Sequence, residues 1–418
     1  MKTEGKPVPS KEKLEKLARA FEAAGVTAPV DFNNTEIAFE DKSDKELRKT
    51  YRLFKMMNNP TLVKIGSVLG MLGARYWLPF FETAVRNTIF WQFCGGTTLL
   101  DSQESIARLY KHGVFSVLDY GAEGKETEED FNQTMVEIIR AIEFGSQNEA
   151  VPVVSVKMTG LARFDLLDRV SNTEELSPEE QEEYKNVLKR IDSICHNAAS
   201  KGLSVFIDAE ESWIQPAIDH LTNQMMERYN KERVVVYNTF QLYRTDRLQY
   251  LMNSYDDSRK KGYLLGAKLV RGAYMDKERE QAAEKGYPSP IHPNKAATDH
   301  DYNLAIRFCI ENYEHIALCN ATHNSESNYL MASLIDEKKL PKDHPHLNFC
   351  QLYGMSDNIT FNLAKAGYNV AKYVVYGPVR TVIPYLIRRT QENTSVTGDM
   401  SRELALVTTE MKRRGLLK

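Results

Sequence analysis

From Gly113 onward, short apolar runs rich in β-branched residues alternate with helical patterns. The runs are VFSVLDYG, VPVVSVKMTG, LSVFIDAEES, VVVYNTFQ, YLLGAKLVRGAY, IALCNATHN, LNFCQLYGM and VAKYVVYGP. Each is nearly continuously apolar, as a strand buried on both faces must be. Between them lie segments such as SPEEQEEYKNVLKRIDSICHNAASKG, where Ser177 and Pro178 form a helix start and Gly202 a stop. Eight strands alternating with helices predict a (βα)8 barrel over 111–418, an α/β fold. The competing architecture is a doubly wound open sheet. Its dinucleotide-binding form opens with G-x-G-x-x-G, which the chain lacks.

The pattern before Gly113 is different. SKEKLEKLARAFEAAG reads as an amphipathic helix with Ser10 as N-cap, Leu14, Leu17, Ala18 and Phe21 on one face, and Gly25 as the stop. Its composition is also that of a designed helix. We assign 1–45 to an N-terminal helical segment and 46–110 to a helical arm. From Leu62 to Trp91 the chain is rich in Leu, Met, Phe and Trp, but Arg75 and Pro79 break the longest apolar stretch, which is short for a membrane span. Packing on the barrel is the first expectation for this region. An amphipathic surface touching a membrane or a partner is the alternative.

Composition narrows the classes. With 42% hydrophobic and 27% charged residues the chain is that of a globular protein, and a net charge of -3 offers no field for nucleic acid. Five scattered cysteines without a C-x-x-C predict reduced thiols and an intracellular setting. No signal or transit peptide is expected at the acidic-and-basic N-terminus.

In such a barrel the active site gathers where the strands end. Those ends carry Asp119, Lys157, Asp208 with Glu210 and Glu211, Asn238 with Gln241, Lys268 with Arg271 and Tyr274, Thr322-His323-Asn324, Gln351 with Tyr353, and Tyr376. Each alone reads as an ordinary polar loop start. Eight polar ends with two lysines inside apolar runs do not, because a buried lysine needs an anion or an acceptor. No G-x-S-x-G elbow, H-E-x-x-H or P-loop is present, and His344-Pro-His346 reads as surface, so no metal is expected. Near the C-terminus, YLIRRTQEN places Arg388 and Arg389 side by side on a helix with Glu392 one turn on. That is either a solvated face or a two-guanidinium clamp for a carboxylate.

Taken together, GAKLVRGAYMDKERE, FIDAEES, NATHNSES, VVYGPVR and YLIRRTQEN closely resemble the proline dehydrogenase family, from about Asp119 to Ser395. KGYPSPIHPNKAATDHDYN is similar to the single-function eukaryotic and related bacterial branch, so a fused aldehyde dehydrogenase domain is not expected. The resemblance implies FAD-dependent oxidation of L-proline to Δ1-pyrroline-5-carboxylate, with electrons passed to a membrane quinone and the last helix lying over the mouth of a distorted (βα)8 barrel. Pro384 then falls in that helix's first turn. The resemblance further implies that Arg388 and Arg389 bind the substrate carboxylate and Glu392 orients them. Lys157 adds positive charge, Tyr274 and Tyr376 pack on the proline ring beside Leu269, and Asp208 supports the polar network. Glu123 is a gate partner for Arg388. Lys268 is implied to touch flavin N5, with Asn238, Val270, Gly272, Ala273, Met275, Thr322, His323, Asn324, Gln351 and Ser395 lining the rest of FAD. It also places the protein peripherally on the cytoplasmic face of a bacterial inner membrane, or on the matrix side of the mitochondrial inner membrane, with the N-terminal helices in contact. Three alternatives remain: a hydroxyproline dehydrogenase, a Schiff-base lyase using Lys157 or Lys268, and a barrel without catalysis acting as a scaffold.

Overall fold

The computed structural model describes residues 29–76, 81–121, 125–394 and 399–417. A three-residue strand, β1 (Cys94–Gly96), comes first. The eight apolar runs follow as β2 (Phe115–Tyr120), β3 (Val153–Val156), β4 (Ser204–Ile207), β5 (Val236–Gln241), β6 (Leu265–Val270), β7 (Ile316–Ala321), β8 (Leu347–Leu352) and β9 (Asn369–Tyr376). They pair in sequence order, all parallel, and β9 closes the barrel by pairing with both β8 and β2. Parallel neighbours require long crossovers, and the helices between the runs supply them.

Sequence reading missed β1. It pairs with the last residues of β9, Cys94 opposite Val375 and Gly96 opposite Tyr376. One edge of β9 is taken by β2 along its length, and β8 covers the other edge only from Asn369 to Tyr373. β1 therefore extends the wall where β8 stops, which is the barrel's distortion. Three residues are too few to show a period, so the pattern carried no signal.

Helix boundaries follow local chemistry. The helix Pro178–Lys201 starts with a capping box between Ser177 and Glu180 and ends at Gly202, whose φ of 80° is left-handed. The last barrel helix, Val379–Thr394, begins directly after Gly377-Pro378. Pro384 therefore sits inside the helix rather than in its first turn, because Pro378 already occupies the start.

Strand parity divides the core. Val117, Phe206, Tyr237, Ala317, Cys319, Cys350, Tyr373 and Val375 share one cluster along the barrel axis. Leu118, Val154, Val205, Val236, Phe240, Leu265, Ala267, Leu269, Leu318, Phe349, Val374 and Tyr376 belong to a second cluster against the helix layer. Alternate residues thus serve opposite faces, and both faces are apolar. All five cysteines are buried thiols.

The region before the barrel forms helices Asp44–Met57, Pro60–Tyr76 and Phe81–Val85, which pack with Val379–Thr394. Among the described residues no helix is long and apolar enough to cross a membrane. The amphipathic helix expected at Ser10 lies outside the described residues.

Candidate active site

Parity sends Asp119, Ser155, Lys157, Asp208, Lys268 and Tyr373 to the axis at the C-terminal end of the barrel, where they meet. Asp208 is the hub. Its carboxylate accepts hydrogen bonds from Lys268 Nζ at 2.6 Å, Tyr373 Oη at 2.6 Å, Ser155 Oγ at 2.9 Å and Lys157 Nζ at 3.3 Å. Burial alone would raise this carboxyl. Lys268 and Lys157, with the hydrogen bonds from Lys268 and Tyr373, outweigh it and hold the group well below the usual carboxylate range. Burial, then Asp119 and Asp208, push the Tyr373 phenol far up, so it remains a donor. Lys268 also lies 5.0 Å from the Tyr373 ring and 5.3 Å from that of Phe206.

The expected role of Lys157 changes in this setting. Its ammonium lies 3.0 Å from Asp119 and 3.3 Å from Asp208. Two lysines face two aspartates, so the cluster is balanced in charge. The last helix adds positive charge at the mouth. Arg389 on that helix is 8% exposed and lies over the Tyr385 ring, and Arg388 is half-buried. The helix starts against the ends of β2 and β9, where a Cβ on Gly121 would come within 2.7 Å of Val382. It runs on until the charge of Arg389 is felt at His323, beyond β7. The Glu392 side chain, Glu123 and Ser395 lie outside the described residues.

Three expected site residues turn away from the axis. Asn238 donates through Nδ2 to Asp219 on the surrounding helix Gln215–Tyr229 at 2.9 Å, and its Oδ1 accepts from Thr239 N. Gln241, three residues on, shares the parity of axial Tyr237, and its buried Oε1 has no partner among the described residues. The strand period therefore gives the mouth to Gln241 in place of Asn238. Leu269 is fully buried in the helix-side core. Tyr376 packs on Tyr120, with ring centroids 5.6 Å apart, within reach of the charges of Glu137 and Arg140 on helix Glu128–Ser146 and of Asp119 on the neighbouring strand. The axial tyrosine of that strand is Tyr373. The two tyrosines are three apart, so they had to face opposite sides, but the sequence did not say which side was inward.

The remaining positions form the rim. Gly272, Ala273 and Met275 are exposed there, and Tyr274 is half-buried. Val270 ends β6 on the axial face beside Lys268. Gly272 has φ 138° and no space for a Cβ, which would lie 2.4 Å from the Tyr243 ring. Arg271 bonds Asp299 and the Thr322 hydroxyl. Asn324 caps the helix Ser325–Glu337, and the Gln351 amide joins Thr322 O to the Thr360 hydroxyl. Burial, then the cations Lys372, Arg402, Arg389 and Arg271, hold the His323 imidazole neutral, well below its ordinary value. Glu210 bonds Thr159 through both oxygens, yet burial raises its carboxyl to about 7. No cluster of three or more metal-ligating side chains occurs among the described residues.

The orphaned Gln241 Oε1, the Lys268 ammonium beside it on the neighbouring strand, and the tight Gly272-Ala273 rim next to Arg271 fit a flat, polar-edged ring carrying a phosphate-bearing tail. Lys268 has three donor hydrogens, so contact with Asp208 leaves others for a ligand.

A closed parallel barrel with a buried ion-paired cluster at the strand C-termini has the architecture and the site position of a (β/α)8-barrel enzyme. The proline dehydrogenase family profile matches residues 102–402, and the chain belongs to that family. It is 31% identical to "Proline dehydrogenase 1, mitochondrial" of Dictyostelium discoideum, over 91% of this chain and 74% of that protein. It is 39% identical to the human protein of the same name, over 60% of this chain and 41% of that one. A "Hydroxyproline dehydrogenase" of Xenopus laevis is 30% identical over 90% of this chain and 88% of that protein. Among solved structures, proline utilization A of Bdellovibrio bacteriovorus inactivated by N-propargylglycine superposes with a TM-score of 0.70 at 19% identity, covering 95% of this chain. That likeness is one of fold, and this chain spans 43% of the length of that structure.

Proposed function

We propose that the protein oxidises L-proline to Δ1-pyrroline-5-carboxylate with FAD and delivers the electrons to a quinone. The observation that carries this reading is the balanced Asp119–Lys157–Asp208–Lys268 cluster lying below a helix that contributes two further cations. A neutral floor and a cationic lid suit a small substrate with one carboxylate. Arg388 and Arg389 offer paired N–H donors for that carboxylate. Tyr274 and the apolar rim pack against the ring. Asp208 fixes Lys268, and Lys157 and Tyr373 fix Asp208. Lys268, Gln241, Arg271 and His323 are the groups that would hold FAD, with Val270, Gly272, Ala273, Met275 and Thr322 around them. When bound, FAD supplies the redox step, taking a hydride from the substrate's C5. The chain supplies orientation and exclusion of water.

Arg389→Met tests the clamp. Losing a charge-assisted pair costs about 1.5–3 kcal/mol, or roughly 10- to 100-fold in kcat/KM for proline, with the protein still yellow. Unchanged proline kinetics in a folded, flavin-loaded variant would refute it. The absorption spectrum tests the whole reading, because a flavin band bleached by L-proline excludes both the Schiff-base lyase and the scaffold. The bulk of Tyr376, packed on Tyr120, does not separate proline from hydroxyproline as substrate. Comparing kcat/KM for the two substrates decides between them.

The helix Pro60–Tyr76 leaves Leu62, Ile65, Leu69 and Tyr76 exposed by half or more, at spacings that share one face. This stripe supports peripheral contact with the membrane that holds the quinone. The Dictyostelium and Arabidopsis relatives are named mitochondrial, which favours the matrix side of the inner membrane in a eukaryote. Flotation with liposomes checks it, and Leu69→Glu should abolish binding.

A further inference from the structure

Ser356 stands at the N-cap position of helix Asp357–Lys365, yet its side chain does not cap. A serine there ordinarily accepts a hydrogen bond from the helix's first turn. Ser356 instead has φ 50° and ψ 43°, an uncommon conformation for a residue with a Cβ, and it is fully buried. Two groups of the C-terminal helix Asp399–Arg413 hold it there. Glu403 Oε1 accepts from the Ser356 backbone N–H at 2.9 Å and lies 3.3 Å from its Oγ, and Arg402 Nη2 lies 3.3 Å from the same Oγ. The third partner is His323 Nδ1, at 2.9 Å from Oγ.

Proton counting fixes the direction of each bond. A hydroxyl has one hydrogen and two lone pairs. Arg402 can only donate, so it takes one lone pair. Glu403 Oε1 is the acceptor for the hydroxyl hydrogen, because an ionised carboxylate has no proton to give and is a stronger acceptor than an imidazole nitrogen. The second lone pair remains, and His323 fills it only by donating from Nδ1. The imidazole is neutral among its four cations, so Nε2 is left without a proton.

We propose that Glu403 and Arg402, acting through Ser356, are positioning residues that lock His323 in the Nδ1–H tautomer and present Nε2 as a hydrogen-bond acceptor to an O–H or N–H of the cofactor. The inference rests on the flavin reading above. It also makes docking of the C-terminal helix a condition for a properly set cofactor site.

The test uses the full chain labelled with 15N-histidine, with and without added FAD, and His323→Gln to assign the signal among the nine histidines. Without FAD, the wild type should show a protonated Nδ1 and a bare Nε2 at His323. Ser356→Ala and Glu403→Ala should both mix the tautomers and weaken FAD binding about three- to ten-fold, the worth of one oriented hydrogen bond. Glu403→Gln keeps an acceptor oxygen and should restore the wild-type pattern. A purely structural role would lower Tm in the alanine variants without moving the tautomer. A protonated Nε2 in the wild type, or alanine variants with unchanged tautomer and FAD affinity, overturns the inference alone. A locked Nδ1–H tautomer in a chain that binds no FAD overturns the cofactor role together with the proposed function.

Discussion

Asp208→Asn is the sharpest perturbation of the barrel mouth. The carboxylate accepts from four donors: Lys268, Tyr373, Ser155 and Lys157. An asparagine has one oxygen with two lone pairs, so at least two donors lose their partner, and the new NH2 must face a donor. Lys157 keeps Asp119 at 3.0 Å. Lys268 is 5% exposed and has no second carboxylate bond among those described, so its charge is the one stranded. Removing one partner of a buried pair costs about 3–5 kcal/mol. The variant should therefore unfold at markedly lower urea and temperature than the wild type, measured without cofactor. The pH dependence gives a second readout. The gap to wild type should narrow as pH falls, because wild-type Asp208 contributes stability present above its unfolded pKa and lost as pH falls toward its depressed folded value. A gap below about 1 kcal/mol, or one that stays constant as pH falls through the carboxylate range, would refute the claim that Asp208 is the charged hub of the cluster.

Glu210 predicts the opposite slope. Its folded pKa, raised from 4.5 to about 7, means that stability present below pH 4.5 is lost as pH rises through 7, by a total on the order of 3 kcal/mol. Glu210→Gln should lack that slope in urea titrations, and an identical slope in both proteins would show that burial does not perturb the group. Asn238→Ala should cost about 1–3 kcal/mol in thermal unfolding by leaving Asp219 short of a donor, with the flavin spectrum unchanged. Gln241→Ala should leave stability nearly intact and shift the flavin band or weaken FAD binding; the reverse pattern would restore Asn238 to the mouth. Gly272→Ala should destabilise by about 1–3 kcal/mol through strain and contact with the Tyr243 ring, and an unchanged Tm would show that the rim yields easily.

The family motifs made much of the site legible. Lys157, Asp208 and Lys268 stand out because charged residues end apolar runs, and the structure brings these three together. Tyr373 escaped notice beside Tyr376, and Gln241 stood out as a polar strand end while the cofactor role fell to Asn238. Each pair shares a strand and lies three residues apart, and parallel strands with two apolar faces give no hydrophobic alternation to tell inside from outside. Asn324 and Gln351 were read as ligand contacts, whereas a helix cap and a strand-end amide bridge engage their side chains. A polar residue at a strand end has the same signature in either role.

The chain's periodicity by itself determined eight buried strands, their crossover helices and the ends at which chemistry collects, because these depend on local spacing, caps and the cost of exposing apolar runs. Tertiary structure alone decided which parity faces the axis, that β1 completes the wall beside β9, and that Ser356, Glu403 and His323 meet from three distant stretches. Those outcomes depend on closure of the barrel and on contacts between residues far apart in the chain, and no local pattern encodes them.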